Sequence, residues 1–215
     1  KHNPEDKKLA SIYNNVGTVY QNVEDYRLAQ YFFKKSLDLT KKYLGENSQE
    51  AAESYNNLGN VMLKTGKKRE AISNYLKASG IYKSIPGINQ VLIGNTNNNI
   101  ATVYQQENQL DSALIYYQPS ADLYQKVFGG KHPYLALIYN NIGNIEVKLE
   151  NFEDAMRHFN LAIESNHESF NSKADSLPNK SGYYDQNIFV NSILSRAAAL
   201  AGLYNKSQNF NDLEC

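Results

Sequence analysis

A period of 42 residues constrains this chain more than any other feature. "YNNVGTVY" begins at Tyr13, "YNNLGNVM" at Tyr55, "NNNIATVY" at Asn97 and "YNNIGNIE" at Tyr139, each start 42 residues after the last and with no gap between copies. A second block keeps the same step: Ala29, Ala71, Ala113 and Ala155, each followed four residues on by Phe33, Tyr75, Tyr117 or Phe159. Gly45, Gly87 and Gly129 form a third. Self-similarity at a fixed period of this size marks a repeat architecture, in which each unit buries its apolar face on its neighbours.

Each unit reads as two helices, A and B. Tyr13, Val16, Gly17 and Tyr20 fall at i, i+3, i+4 and i+7, one face of a 3.6-residue helix. Ala29, Phe33, Ser36 and Leu37 share a face of the second helix. Polar turns such as "NVEDY" and "KTGKK" separate A from B, and the Gly45 class ends B as a C-cap. Asn47 with Glu50, and His132 with Pro133, read as the starts of the next A helices. Pro119 lies inside the third B helix and predicts a kink, because it lacks a donor and crowds the preceding turn.

After Ser165 the register fails in a polar stretch marked by Ser, Asn, Gly and Pro. A helical pattern resumes at "IFVNSILSRAAALAGLYNKSQNFNDLE", whose "AGLY" and "NFNDL" match a fifth A helix and its turn. Phe210 then answers Phe152 at an offset of 58, the period of 42 plus 16 inserted residues. The organisation expected is four helix pairs over 1–166, a polar loop over 167–187, and a terminal helix over 188–215 that forms a partial fifth repeat or a cap.

The quoted residues resemble the tetratricopeptide repeat, with its large residue, Leu-Gly and Tyr in helix A and its Ala, aromatic and Ala in helix B. The match runs from residue 9 to 166. Its long period, with "YNNLG" and "G..HP", is similar to the repeats of kinesin light chains and of many bacterial tetratricopeptide proteins. The fold this implies is all-α, a right-handed α-solenoid of helical hairpins whose A helices line an inner groove. It also implies that Gly17, Gly59, Ala101 and Gly143 let helix A approach its B partner closely.

The asparagines lie off the apolar stripe. Asn14, Thr18 and Gln21 form a second stripe about a quarter to a third of a turn away, since successive residues advance by about 100°. Copies continue it as Asn56, Asn60 and Leu63, as Asn98, Thr102 and Gln105, and as Asn140, Asn144 and Val147. By resemblance this stripe faces the groove. A carboxamide offers both a donor and an acceptor, so a column of them can pair with the backbone of an extended peptide whatever its side chains. The plainer reading is that the amides bond to each other and tie repeats together. Asn15, Asn57, Asn99 and Asn141, one residue further round, stand evenly between the two readings. Tyr183 and Tyr184 in the polar stretch serve either as exposed contacts or as local packing.

Other chemistry is not encoded. His2, His132, His158 and His167 lack metal-ligand spacing, and capping accounts for His132. No catalytic or phosphate-binding motif is present. Cys215, the single cysteine, has no base nearby in sequence. The expectation is therefore no enzyme, no metal and no cofactor. Lys plus Arg equals Asp plus Glu at 22 each, which favours neither nucleic acid nor an anionic membrane. No apolar run approaches the roughly 20 residues of a spanning helix. The chain starts at Lys1 rather than Met, which reads as a fragment of a longer protein placed in the cytoplasm.

The function these readings imply is a protein-interaction module that binds an extended peptide segment of a partner, as a monomer or weak oligomer. Two alternatives stay open: a self-assembling scaffold or spacer, and the docking part of a caspase-like CHAT protease, which the tail "ILSRAAALAGLYNKSQNFNDLE" resembles.

Overall fold

The computed structural model describes residues 4–167, 183 and 185–213. His2, Tyr184, Cys215 and most of the 167–187 loop lie outside the described residues. The described residues form nine helices: α1 (Pro4–Asn22), α2 (Tyr26–Tyr43), α3 (Gln49–Lys64), α4 (Lys68–Ser84), α5 (Gln90–Gln106), α6 (Leu110–Phe128), α7 (Pro133–Lys148), α8 (Phe152–Ser165) and α9 (Gln186–Leu213). The fold class is all-α, as the helical spacing within each repeat predicts. The chain divides into two compact units, Lys1–Gln109 and Leu110–Cys215.

In the first unit α1 packs against α2 and α3 against α4, while α2 and α4 each pack on the A helix that follows. Short turns make these pairs antiparallel hairpins. The residue that reverses the chain recurs at the period: Glu24, Gly66 and Asn108 have φ of 61°, 77° and 55°, all left-handed. Gly45 and Gly87, at φ 96° and 72°, end the B helices in the same region and act as the expected C-caps. The core repeats likewise. Ala29, Phe33, Ala71 and Tyr75 are fully buried.

Close approach of A to B depends on glycine. A Cβ on Gly17 would lie 2.7 Å from the ring of Phe33, and one on Gly59 would lie 2.5 Å from that of Tyr75. Ala101 takes this position in α5 and is fully buried.

The second unit holds the α7–α8 hairpin, with α6 on α7 and α9 on both α7 and α8. Here Gly143 admits the ring of Phe159, and Glu150 (φ 59°) makes the reversal. Pro133 opens α7, and His132 Nδ1 accepts from the Tyr134 amide at 3.1 Å, so His132 is the cap the sequence suggests. Its ring stacks on Phe128 at 4.0 Å between centroids.

Two local expectations change. The cap of α3 is Ser48, which accepts from Ala51 N at 3.3 Å; Asn47 lies one residue too early for the observed first turn. Pro119 lies inside α6, the position at which a kink is expected, and the i−4 carbonyl it crowds belongs to Ile115, an exposed residue where water can satisfy it. Helix α9 runs on to Leu213, so "NFNDL" forms no turn. Gly202 also differs from Gly59, because it admits the ring of Phe152 from the preceding B helix rather than one from its own.

The return to α9 is pinned at its base. Asn166, fully buried, accepts from Asp185 N at 3.0 Å and donates its Nδ2 to Asp185 O. Asp185 Oδ1 in turn accepts from Asn187 N and Ile188 N, capping the helix. Tyr183 stacks on Phe189 at 3.9 Å and meets His167 edge-on at 4.6 Å, which is the local-packing reading of that residue.

Candidate functional site

Helices α1, α3 and α5 carry the asparagine stripe in the first unit, and neighbouring A helices touch along it. Asn14, Asn56, Asn60, Asn98, Leu63, Gln21, Thr102 and Gln105 are half-buried there, and Thr18 is exposed. The residues one step further round reach back across the repeat. Asn57 Nδ2 donates to Asn14 Oδ1 at 2.9 Å, and Asn99 Nδ2 donates to Asn56 Oδ1 at 3.3 Å. The two columns thus bond to each other in one ladder and tie neighbouring repeats, the plainer reading of these amides.

The ladder commits only half of each carboxamide. Asn14 and Asn56 give up their oxygen and keep Nδ2; Asn57 and Asn99 give up Nδ2 and keep their oxygen. Asn98 follows the same rule by a different route, with its Oδ1 buried and unpaired among the described residues while the residue stays half-exposed. Among the described residues, Asn14, Asn56 and Asn98 on three successive A helices therefore each keep an uncommitted amide donor, and the ladder partners Asn57 and Asn99 each keep an uncommitted oxygen.

Other stripe residues have structural partners. Asn60 Oδ1 accepts the Tyr75 hydroxyl at 2.7 Å, a bond that anchors the core aromatic of its own hairpin. Thr18 Oγ1 and Thr102 Oγ1 donate to the carbonyls of Asn14 and Asn98, one helical turn back. In the second unit Asn140 is buried with its Oδ1 unpaired among the described residues, and Asn144 is half-buried. Val147 packs against the cluster of Ala155, Phe159 and Ala199.

The second unit also buries a titratable pair. His158 Nδ1 lies 2.7 Å from Glu146 Oε2 and 3.1 Å from Asp154 O; with two acceptors in front of it, this nitrogen carries the proton. Both side chains are sealed within the α7–α8 hairpin, so the pair orders the hairpin and meets no substrate. Among the described residues no helix is long and apolar enough to cross a membrane.

A family model for the tetratricopeptide repeat matches residues 8–84 and 92–166. Solved structures share the fold at low identity. BtubC (BKLC) from P. vanneervenii superposes with a TM-score of 0.70 at 17% identity, over 97% of this chain and 82% of that one. The nearly identical TPR-like repeats of a Podosopora anserina protein described as a kinesin light chain give 0.73 at 14%, over 97% and 93%. Aspartyl phosphate phosphatase F from Bacillus subtilis gives 0.75 at 16%, over 96% of this chain and 49% of its own. No curated protein matches in sequence.

Proposed function

The chain belongs to the tetratricopeptide-repeat family, and on that premise we propose that it binds an extended segment of a partner protein along its A helices, by reversible association and without catalysis. The observation that carries this reading is the half-committed asparagine ladder. Amide donors on Asn14, Asn56 and Asn98 point to peptide carbonyls, and the oxygens of Asn57 and Asn99 point to peptide N–H groups. Such pairing is independent of peptide sequence; neighbouring side chains such as Leu63 add selectivity. On α7, in the second unit, the same register carries Asn140, Asn144 and Val147.

The test is capture from a random extended-peptide library by the full chain and by a variant with Asn14, Asn56 and Asn98 changed to Ala. Loss of capture with unchanged helical content supports the groove. Undiminished capture by the folded variant removes these residues from the mechanism.

A second reading, self-assembly as a scaffold, is favoured by one observation. Val190, Leu194, Leu200 and Tyr204 on α9 are all about half exposed or more, at 49%, 64%, 49% and 64%. Light scattering across a concentration series separates the two, because a binding module keeps a constant mass while a scaffold grows. Joined to a caspase-like CHAT protease, the same groove would present a segment for cleavage; the adjoining sequence decides this.

A further inference from the structure

One position of the period departs from its copies in a way the peptide ladder does not use. Thr40, Tyr82, Tyr124 and Asn166 stand 42 residues apart near the ends of the B helices. Tyr82 and Tyr124 place a buried phenol there, and Asn166 holds Asp185. Thr40 supplies only a methyl and a hydroxyl. Beside it, between α1, α2 and α3, opens a cavity of about 240 Å³ lined by Ser36, Thr40, Ser54, Asn14, Glu50 and Glu53 among others.

The charged side chains that line the cavity among the described residues are both acidic. Thr40 is 1% exposed and its Oγ1 has no hydrogen-bond partner among the described residues, a cost of about 1–3 kcal/mol if left so. Ser36 Oγ donates to Ala10 O at 2.8 Å and lies 3.4 Å from Ser54 Oγ, so the floor is fixed. Glu50 and Glu53 line the mouth, and among the described residues no Lys or Arg lines it. Glu53 Oε1 accepts from Gln49 at 2.8 Å, which leaves Oε2 for a ligand. The space is below the roughly 300–1,000 Å³ of small-molecule sites and fits a single side chain.

We propose that this cavity takes the basic side chain, lysine or arginine, of the partner segment, with the carboxylates at its neck and the Thr40 hydroxyl accepting from the cation. The inference deepens the peptide reading and rests on it for the partner, though not for the cation. Asn14 belongs to both the ladder and the cavity wall, so a peptide held by the ladder passes the mouth. The first repeat then reads one residue of a peptide whose backbone the ladder holds.

The test is a nuclear magnetic resonance titration of the full chain with n-butylammonium and n-butylguanidinium, with n-butanol as the neutral control. Saturable shifts at Thr40, Ser54 and Glu53 with a cation alone are expected, and whichever cation binds tighter names the residue. Thr40→Tyr, which installs the ring the next two repeats carry, abolishes them, and Glu53→Gln weakens them about tenfold, the size of one charge-assisted contact. Shifts that are absent, equal with butanol, or retained in folded Thr40→Tyr overturn the proposal. Should Thr40→Tyr not fold, Thr40→Val keeps the volume and removes the hydroxyl, and undiminished cation binding by it is the overturning result. In the peptide library, capture without enrichment of Lys or Arg overturns this inference and leaves the groove standing. No capture at all removes the groove, while the cation titration still decides the cavity.

Discussion

Asn57 donates its side-chain amide to the side-chain oxygen of Asn14 at 2.9 Å, joining residues 43 positions apart on adjacent A helices. This bond makes tying the repeats and presenting a peptide surface two halves of one arrangement, since each carboxamide has a donor and an acceptor and the bond consumes one of them. Asn57→Ala should therefore lower both stability, by about 1 kcal/mol, and peptide capture, because Asn14 loses the contact that orients its outward amide. Urea unfolding and library capture on the same variant measure the two effects. A loss of stability with full capture would separate the ladder from binding.

The glycines of the first unit should divide sharply. A Cβ on Gly59 meets the Tyr75 ring at 2.5 Å, whereas one on Gly80, exposed in α4, meets nothing within 4 Å. Alanine is favoured in a helix by about 1 kcal/mol, so Gly80→Ala should stabilise by up to that amount. Gly59→Ala forces a fully buried ring aside and should cost about 1–3 kcal/mol net. Denaturant midpoints moving in opposite directions would confirm the contrast.

The turn residues offer a matched pair. Glu24 and Gly66 occupy the same left-handed position one period apart, at φ 61° and 77°. Left-handed backbone costs a residue with a Cβ about 1–2 kcal/mol, partly offset by the greater freedom of glycine in the unfolded chain. Glu24→Gly should raise stability by about 0.5–1 kcal/mol, and Gly66→Ala, with open space around it, should lower it by a similar amount. Equal midpoints for Glu24→Gly and the parent chain would show that the strain is absent.

Burial holds the His132 imidazole below its ordinary value near 6.5. Its Nδ1 must be unprotonated to accept the Tyr134 amide. In the unfolded chain the ring binds a proton more readily, so its contribution is fully present above about pH 6.5 and is lost as pH falls toward and through the lowered folded value. His132→Asn keeps an N-cap acceptor without titrating. Its unfolding midpoint should change less than that of the parent between pH 7 and 5, and parallel pH profiles would refute the assignment.

Much of this protein could be read from its residues because its information is periodic. The step of 42 located the helices from α1 to α8, the Ala and aromatic core of the B helices and the His132–Pro133 start. These depend on local spacing and side-chain size, and four aligned copies amplify a weak local signal. Where copies stop, at α9, the sequence pointed to a turn that the helix does not make.

What only the tertiary structure decided are matters of partnership. Asn14 and Asn57 carry the same side chain, and nothing in spacing says which atom of each is consumed. Thr40 differs from its copies as many residues do, and only the packing of three helices turns that difference into a cavity with an orphaned hydroxyl. The Asn166–Asp185 anchor joins residues across a stretch where the register is lost. Periodicity specifies which faces are apolar, but a hydrogen bond needs two groups at about 3 Å in the right direction, and that distance is set by how helices from different repeats come to rest on each other.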